Sequence, residues 1–380
     1  TLAVDSLIQS PRRTSGTVAA LMLSLALTIA LSGLNQASYD SIREWMRIAL
    51  NPDLFVTTNE NLTTRSFVFP ASLGEGLRKM PGIAEVQFVR SVRVTVKGSP
   101  VMLVALDVQS VANRAQLPAL EGEPKSMYAQ TAGGTGVMVS ENFSRLRGGH
   151  VGEILEVPAP EGVLRLPIVG VVRDYSDQQG TVLISRDLFI KYWHEDAVNL
   201  FRIYLARGAK EADVRQQILD VYGKERRLFV LTNTDVRRYI LNLADQWLGL
   251  TYIQVAVAVL VAILGIVNAL TVSITDRRRE LGVLQVVGGL RRQIRGTIWI
   301  EAGAIGLVGL VLGFVLGAAL QYYTLGFARR ELIGMDLPYS YPVQTALLLI
   351  PVILASAWIS AILPAESAVR ASLVEALEYE

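Results

Sequence analysis

The chain has 380 residues, 51% of them hydrophobic and only 18% charged, with no cysteine and two histidines. Basic and acidic side chains nearly cancel, 36 against 34, so no overall cationic field points to a nucleic-acid partner. The missing cysteines exclude a disulfide framework, a thiolate zinc site, an iron–sulfur cluster and a thiol nucleophile, and His150 and His194 alone are poor material for a histidine metal centre.

An ordinary soluble chain carries about 25% charged residues, so part of this one is predicted to avoid water. The charges are absent from residues 14–39, 246–275, 302–328 and 337–365, runs of 26, 30, 27 and 29 residues. Each run has an apolar core: Val18 to Leu34, Leu248 to Ala269, Ala302 to Leu320 and Val343 to Leu363. A bilayer core of roughly 30 Å needs about 20 apolar residues in a helix, and all four runs meet that length. The predicted fold class is therefore membrane α-helical: four transmembrane helices in a 1+3 arrangement, with a large α+β extracytoplasmic domain inserted between helices 1 and 2.

In chain order, residues 1–16 are read as a cytoplasmic segment and 17–39 as the first span. Arg12 and Arg13 before an apolar run also suit a signal peptide, but the run is longer than a typical signal core and no small-x-small cleavage site follows Leu34. A retained helix is expected. The chain starts at Thr1 rather than Met, as a processed or trimmed product, or the second half of a longer polypeptide, would.

Residues 40–245 are the predicted outer domain, with 25 basic and 24 acidic residues and hence 49 of the chain's 70 charges. Residues 53–57 read as a strand and 70–80 as a helix stopped by Pro81-Gly82. Residues 84–96 alternate as a strand, and Lys97-Gly98-Ser99-Pro100 turns into VMLVALD. Residues 110–135 are read as irregular. Residues 136–140 lead into a short helix over 141–146, and 151–157 and 164–172 read as strands. Residues 199–205, 212–222 and 228–232 repeat the opening strand–helix–strand pattern. Two lobes are predicted: an αβ lobe from about 51–107 plus 199–235, and a β-rich lobe over about 136–198.

No motif in this domain argues for catalysis, and the chain is not expected to be an enzyme. It has no GxxxxGK[ST] phosphate loop and no GxSxG elbow. His194-Glu195 opens like HExxH, but Val198 occupies the second ligand position. Gly133, Gly134 and Gly136 form a glycine-rich loop with no lysine to meet a phosphate.

After the second span, 246–275, comes Thr275–Arg295, TDRRRELGVLQVVGGLRRQIR. Leu281, Leu284, Gln285 and Gly288 share one face at helical spacing, and arginines crowd both ends. Residues 276–295 fit either a headgroup anchor or a docking helix for a cytosolic partner. The third span, 296–325, contains Glu301, about 9 Å beyond Arg295 at about 1.5 Å per residue. An ion pair with Arg295 or Arg292 is expected for it. Gly309, Gly313 and Gly317 recur every four residues, the spacing that lets helix backbones approach closely. Residues 326–341 are read as an outer loop, 342–364 as the fourth span and 365–380 as a cytoplasmic tail; Pro351 and Pro364 are expected to bend or end the fourth helix. Nine arginines flank the spans at the N-terminus, the 276–295 loop and the C-terminus, which places those three in the cytoplasm and residues 40–245 outside.

These residues carry a family resemblance. Asp276-Arg277-Arg278-Arg279-Glu280-Leu281-Gly282-Val283-Leu284 followed by Gly288-Gly289, Glu301 early in the third span, and Leu363-Pro364-Ala365 with Ala368, Ala376 and Leu377 occur in order. Together they resemble the FtsX-like permease family, the superfamily of MacB and the lipoprotein-releasing permeases. In Gln285-Val286-Val287 the chain departs from the family's commoner Arg-Ala-Leu. The resemblance implies a mechanotransmitting permease of the bacterial cytoplasmic (inner) membrane, a multi-pass protein working with a cytosolic ABC ATPase subunit and a second permease copy or homologous half as a dimer. A periplasmic adaptor or cargo protein would be a further partner. ATP and Mg would sit on the ATPase, with no cofactor on this chain. The ATPase-coupling helix would comprise Arg279, Glu280, Leu281, Gly282, Val283, Leu284, Gln285, Gly288, Gly289, Arg291 and Arg292. Export of a hydrophobic or amphiphilic cargo (lipoprotein, peptide, drug or lipid) is the expected function. The alternatives are a regulator that activates a periplasmic or cell-wall partner, and a membrane-anchored sensor without an ATPase.

Overall fold

A computed structural model describes residues 11–59, 67–114, 116–223, 227–276, 290–332 and 334–370. The chain divides into two compact units. One comprises Ser38–Ala244 with Phe327–Pro338, and the other holds the described residues up to Ala37, Asp245–Gly326 and the chain from Tyr339.

The membrane unit is helical. Four stretches are long and apolar enough to cross a membrane: Ser15–Ala49, Tyr252–Thr275, Arg291–Glu331 and Val343–Val369. They lie on helices α1 (Pro11–Ala49), α8 (Asn233–Asp276), α9 (Arg291–Phe327) and α10 (Val343–Arg370), where α2 to α7 belong to the other unit. A π-turn, Ala328–Leu332, follows α9. Neither Pro351 nor Pro364 ends α10, which runs through both. A break in the membrane would free several backbone groups with no water to meet them, whereas an inserted proline removes one donor.

The other unit is built on one mixed ten-stranded sheet. Its strands are β1 (Leu54–Thr57), β2 (Ile83–Val96), β3 (Ser99–Leu106), β4 (Ala119–Glu121), β5 (Val137–Ser140), β6 (Ile154–Ala159), β7 (Gly162–Val172), β8 (Thr181–Ser185), β9 (Leu200–Leu205) and β10 (Phe229–Thr232). Their order is β10-β1-β9-β2-β3-β8-β5-β7-β4, with β6 also on β7. Its helices are α2 (Ala71–Arg78), α3 (Val108–Arg114), α4 (Pro124–Ala132), α5 (Glu141–Arg147), α6 (Arg186–Trp193) and α7 (Glu211–Tyr222).

The continuous apolar run of β3 follows from burial on both faces. Val101, Leu103 and Ala105 pack with Val137, Val139, Val182, Ile184, Phe143 and Phe189. The alternate residues Met102, Val104 and Leu106 pack with Met127, Tyr128, Met138 and Leu183. A third core joins Leu54, Val56, Val86, Phe88, Phe201 and Ile203 to Leu73 and Leu77 of α2 and to Val214 and Ile218 of α7. That core draws on elements from both ends of the domain.

One sheet runs through the whole domain. The long β2–β3 hairpin turns at Lys97 and Gly98, both at positive φ (50° and 76°) as a two-residue hairpin turn requires. One edge of the hairpin pairs with β9 and the other with β8, so both lobes share one sheet. Residues 110–135 are likewise more regular than read. Asp107 caps α3 through the Ser110 N–H, and Glu123 caps α4 through the N–H groups of Lys125 and Ser126.

Candidate functional site

Three arrangements bear on what the chain can do: a glycine seam in the membrane unit, and a stem and a strap in the sheet unit. The seam runs along α9. A Cβ built on Gly309 would lie 2.3 Å from Leu21, one on Gly313 2.7 Å from Leu25, and one on Gly317 2.8 Å from Ile29. Those three residues repeat every four positions along α1, so the seam is a groove on one helix filled by a ridge of the other. Lower contacts reverse the roles, with Gln321 of α9 seated over Gly33 of α1. A second small face of α9 meets α10, where Gly306 lies against Ala357 and Gly303 against Trp358. Ser32 and Thr345 share a 2.7 Å hydrogen bond between α1 and α10.

Glu301 is buried in the membrane unit, where the Ser273 hydroxyl donates to it at 3.2 Å. Arg295, one of its two expected partners, reaches instead to Glu366 of α10 at 2.5 Å. One turn of helix separates Arg295 from the apolar interior, and the α10 carboxylate meets it there at a partly exposed position. Arg291 and Arg292 open α9. The rest of the predicted coupling segment (Arg279, Glu280, Leu281, Gly282, Val283, Leu284, Gln285, Gly288 and Gly289) lies outside the described residues.

The stem is where the chain enters and leaves the sheet unit. The last carbonyls of a helix have no intrahelical donor. At the end of α1 they are met by side chains from distant parts of the chain. Arg202 of β9 donates to the Ala49 carbonyl at 3.1 Å and to Asn51 at 3.2 Å. Asn233, the first residue of α8, donates to the carbonyls of Leu50 and Pro52, both at 2.8 Å. Arg237, one turn later, donates to the Leu50 carbonyl at 2.8 Å. The two cations also face the negative end of the α1 dipole. Burial pushes the Arg202 guanidinium below its usual range, while the neighbouring Tyr204 hydroxyl works in the opposite direction. The start of α8 is fixed by a capping box: Thr232 N–H and hydroxyl donate to Asp235, and Asp235 N–H donates back to the Thr232 hydroxyl.

The strap is the chain after α9. Residues 334–337 dock on α5 and the end of β7. Gly334 is buried at φ 66°, and a Cβ there would fall 2.8 Å from Asn142 Cα, so only glycine fits. Arg145 donates to the Met335 carbonyl at 3.4 Å, and Arg329 to that of Leu337 at 2.9 Å. Arg173 donates to Asp336 Oδ2 at 3.1 Å. Behind this pair stands Glu141, the first residue of α5, with its side chain only 1% exposed. It pairs with Arg145 at 2.7 Å and lies 3.7 Å from Arg173. The Tyr175 hydroxyl donates to Glu141 at 3.0 Å and accepts from the Asp336 N–H at 3.4 Å. Burial, and next the Glu141 charge, push the Tyr175 phenol well above its usual value, so it remains a donor. Among the described residues no cluster of His, Asp or Glu has the spacing of a metal site.

Comparison with known proteins decides the family. The MacB-like periplasmic core domain family matches residues 14–221, and the FtsX-like permease C-terminal family matches residues 252–373. The chain belongs to the FtsX-like and MacB-like ABC transporter permeases. It is similar to an uncharacterised ABC transporter permease protein of Mycobacterium tuberculosis, 24% identical over 340 residues, which are 88% of this chain and 40% of that protein. It is also similar to the macrolide export ATP-binding/permease protein MacB of Bordetella avium, 31% identical over 173 residues, 45% of this chain and 25% of that one. The chain thus spans less than half the length of these relatives. A solved structure of the periplasmic region of MacB from Actinobacillus actinomycetemcomitans aligns with 53% of this chain and 98% of its own, at 12% identity and a TM-score of 0.38. As a permease of this family, the chain is a multi-pass protein of the cytoplasmic membrane with its sheet domain outside.

Sequence reasoning selects the seam glycines and Glu301 but none of the stem or strap residues. The Thr232-x-x-Asp235 capping box before an apolar run was the one readable signal. Arg202 and Arg173 find their partners 153 and 163 positions away in the chain. No local spacing announces such a pair.

Proposed function

We propose that this chain is the permease part of an ABC-type export or mechanotransmission complex. A cytosolic partner ATPase binds and hydrolyses ATP with Mg, the segment around 279–292 receives the movement, and the outer domain acts on a hydrophobic or amphiphilic cargo. The observation that carries the reading is the stem. The end of α1 and the start of α8 are tied to each other and to β9, so any relative shift of these two helices must load the sheet. The spans supply no polar path for a small ion, since Glu301 is the only charge within residues 17–39, 246–275, 296–325 and 342–364. That supports work done on the outer side over conduction through the bundle. Two permease copies or halves would complete the complex.

The test is purification of the full-length protein from its native host. An ATPase subunit or domain should accompany it, and Leu284→Asp should abolish its coupling while leaving the outer domain folded. In liposomes, a diacylated lipopeptide and a macrolide serve as probes of ATPase stimulation. A preparation with no associated ATPase sinks the proposal. Stimulation only by a wall-hydrolase-type protein turns it into a regulator.

A further inference from the structure

The strap contains an arginine placed between two carboxylates. Arg173 bonds Asp336 at 3.1 Å and stands 3.7 Å from Glu141. We infer that Arg173 and Asp336 form a releasable latch that positions the outer domain during the transport cycle, and that Glu141 is the alternative partner which takes Arg173 when the latch opens. The inference rests on the mechanotransmission reading.

The geometry favours a two-state joint over a fixed one. Residues 334–337 continue the chain that leaves α9, so movement of that helix pulls on them directly. Apart from the packing of Gly334 and Leu337, their hold on the domain is polar: Arg145 on the Met335 carbonyl, the Ser41 hydroxyl of α1 on the Asp336 carbonyl at 2.7 Å, Tyr175 on the Asp336 N–H, and Arg173 on the Asp336 side chain. The Arg173 and Asp336 side chains keep 29% and 37% exposure, so water can replace either partner. Glu141, at 1% exposure, cannot use water in that way. Its charge needs Arg145, Tyr175 and the nearby Arg173 whether the latch is closed or open. When Asp336 departs, Arg173 closes the remaining distance to Glu141, and the cation keeps a partner. An element with two satisfied arrangements is what a switch requires. Arg329 follows Asp336, at 3.6 Å from its second oxygen, and moves with the strap.

The experiment uses the full-length protein with its ATPase in nanodiscs. These 380 residues hold no cysteine, so Arg165→Cys and Arg330→Cys place spin labels on β7 and on the π-turn, once any cysteine elsewhere in the complex is replaced. Without nucleotide the distance distribution should show one closed population. Trapping with Mg-ATP and vanadate should bring up a second, longer one. Asp336→Asn should populate the longer distance without nucleotide, by about fivefold or more over the unsubstituted protein. Asp336→Glu should return it to the closed position, which a merely structural loss would not allow. Should Asp336→Asn fail to fold, Arg173→Lys provides the second test, because an ammonium lacks the fork that reaches both carboxylates. The latch is overturned if Asp336→Asn gives the same distances as the unsubstituted protein, or if trapping changes nothing at these positions while the ATPase remains coupled. Absence of any ATPase overturns the proposed function as well, and so distinguishes the two failures.

Discussion

Gly317→Ala is the sharpest test of the glycine seam. The added Cβ would stand 2.8 Å from Ile29 Cβ, 2.9 Å from its Cγ2 and 3.3 Å from Ala26 Cα. Comfortable carbon–carbon contact begins at about 3.5 Å, so α1 and α9 must part by several tenths of an ångström. The neighbour cannot simply turn aside. Ile29 is β-branched and held to one rotamer in a helix, and Ala26 presents backbone. At Gly309, by contrast, the nearest atom is the free end of Leu21. Overpacking of this kind costs about 1–3 kcal/mol. Alanine's better helix propensity returns up to about 1 kcal/mol, a term shared by any Gly→Ala change in a helix interior. Gly326, in the same helix, has nothing within 4 Å of its Cβ position and is the control. Unfolding of both variants in mixed detergent micelles should therefore leave Gly317→Ala about 1–3 kcal/mol less stable than Gly326→Ala. Adding Ile29→Ala should recover part of that loss as a coupling of about 1 kcal/mol. Equal stability of the two alanine variants, within about 0.5 kcal/mol, would refute the close approach of the helices.

Three further outcomes follow from the polar contacts. Asn233→Ala removes two 2.8 Å bonds to the α1 terminus and should cost about 1–3 kcal/mol, read as faster amide exchange at residues 49–53 before global unfolding. Burial alone would raise the Glu85 carboxyl, but hydrogen bonds from Ser110, Arg114 and Gln87 outweigh it and hold it below its usual 4.5. Its stabilising effect is therefore complete above about pH 4.5 and lost as the pH falls through the lower folded value; Glu85→Gln should flatten that acid limb in unfolding curves recorded from pH 6 to 3. The Arg295–Glu366 pair is 48% and 36% exposed, so Glu366→Gln should cost less than about 1 kcal/mol and the difference should shrink in high salt.

Much of the architecture is legible in the sequence because it depends on one-dimensional quantities. Four uncharged runs fix four spans, and arginine placement fixes their orientation. Gly309, Gly313 and Gly317 are readable because helix packing repeats with the chain's own period. The two ends of the sheet domain declare themselves as one αβ lobe by matching strand–helix–strand patterns. What escapes is whatever depends on pairing across the sheet. The β8 run, TVLIS, is only five residues long and buried throughout, so it shows no period, and without it β3 and β5 have no link. Residues 110–135 look irregular because Glu123 is an uncommon cap, although Pro124 at the first helical position is a fair start signal. The fourth-helix prolines do not end the helix, because the rule that breaks helices in water weakens where no water competes for the freed groups.

The stem and the strap differ in what opening would expose, and that difference assigns their roles. Releasing the stem would leave the carbonyls of Ala49, Leu50 and Pro52 without their side-chain donors and would strand Arg202, which is half-buried. Each unmet buried group costs about 1–3 kcal/mol, and a buried charge costs more. Several must be lost together, so the stem should stay closed throughout a cycle and act as a rigid clamp. At the strap, the side-chain pair that opens is half-exposed and can be exchanged for water and for a carboxylate already at hand, while the neutral hydrogen bonds of Ser41, Tyr175 and Arg145 to the strap backbone lie around it. An exposed pair is worth about 0–1 kcal/mol, well within what a nucleotide-driven shift can supply. The domain is thus held by one joint that resists opening and one that permits it. The proposed lever would need that combination, because two rigid joints would lock the sheet domain and two loose ones would dissipate the movement.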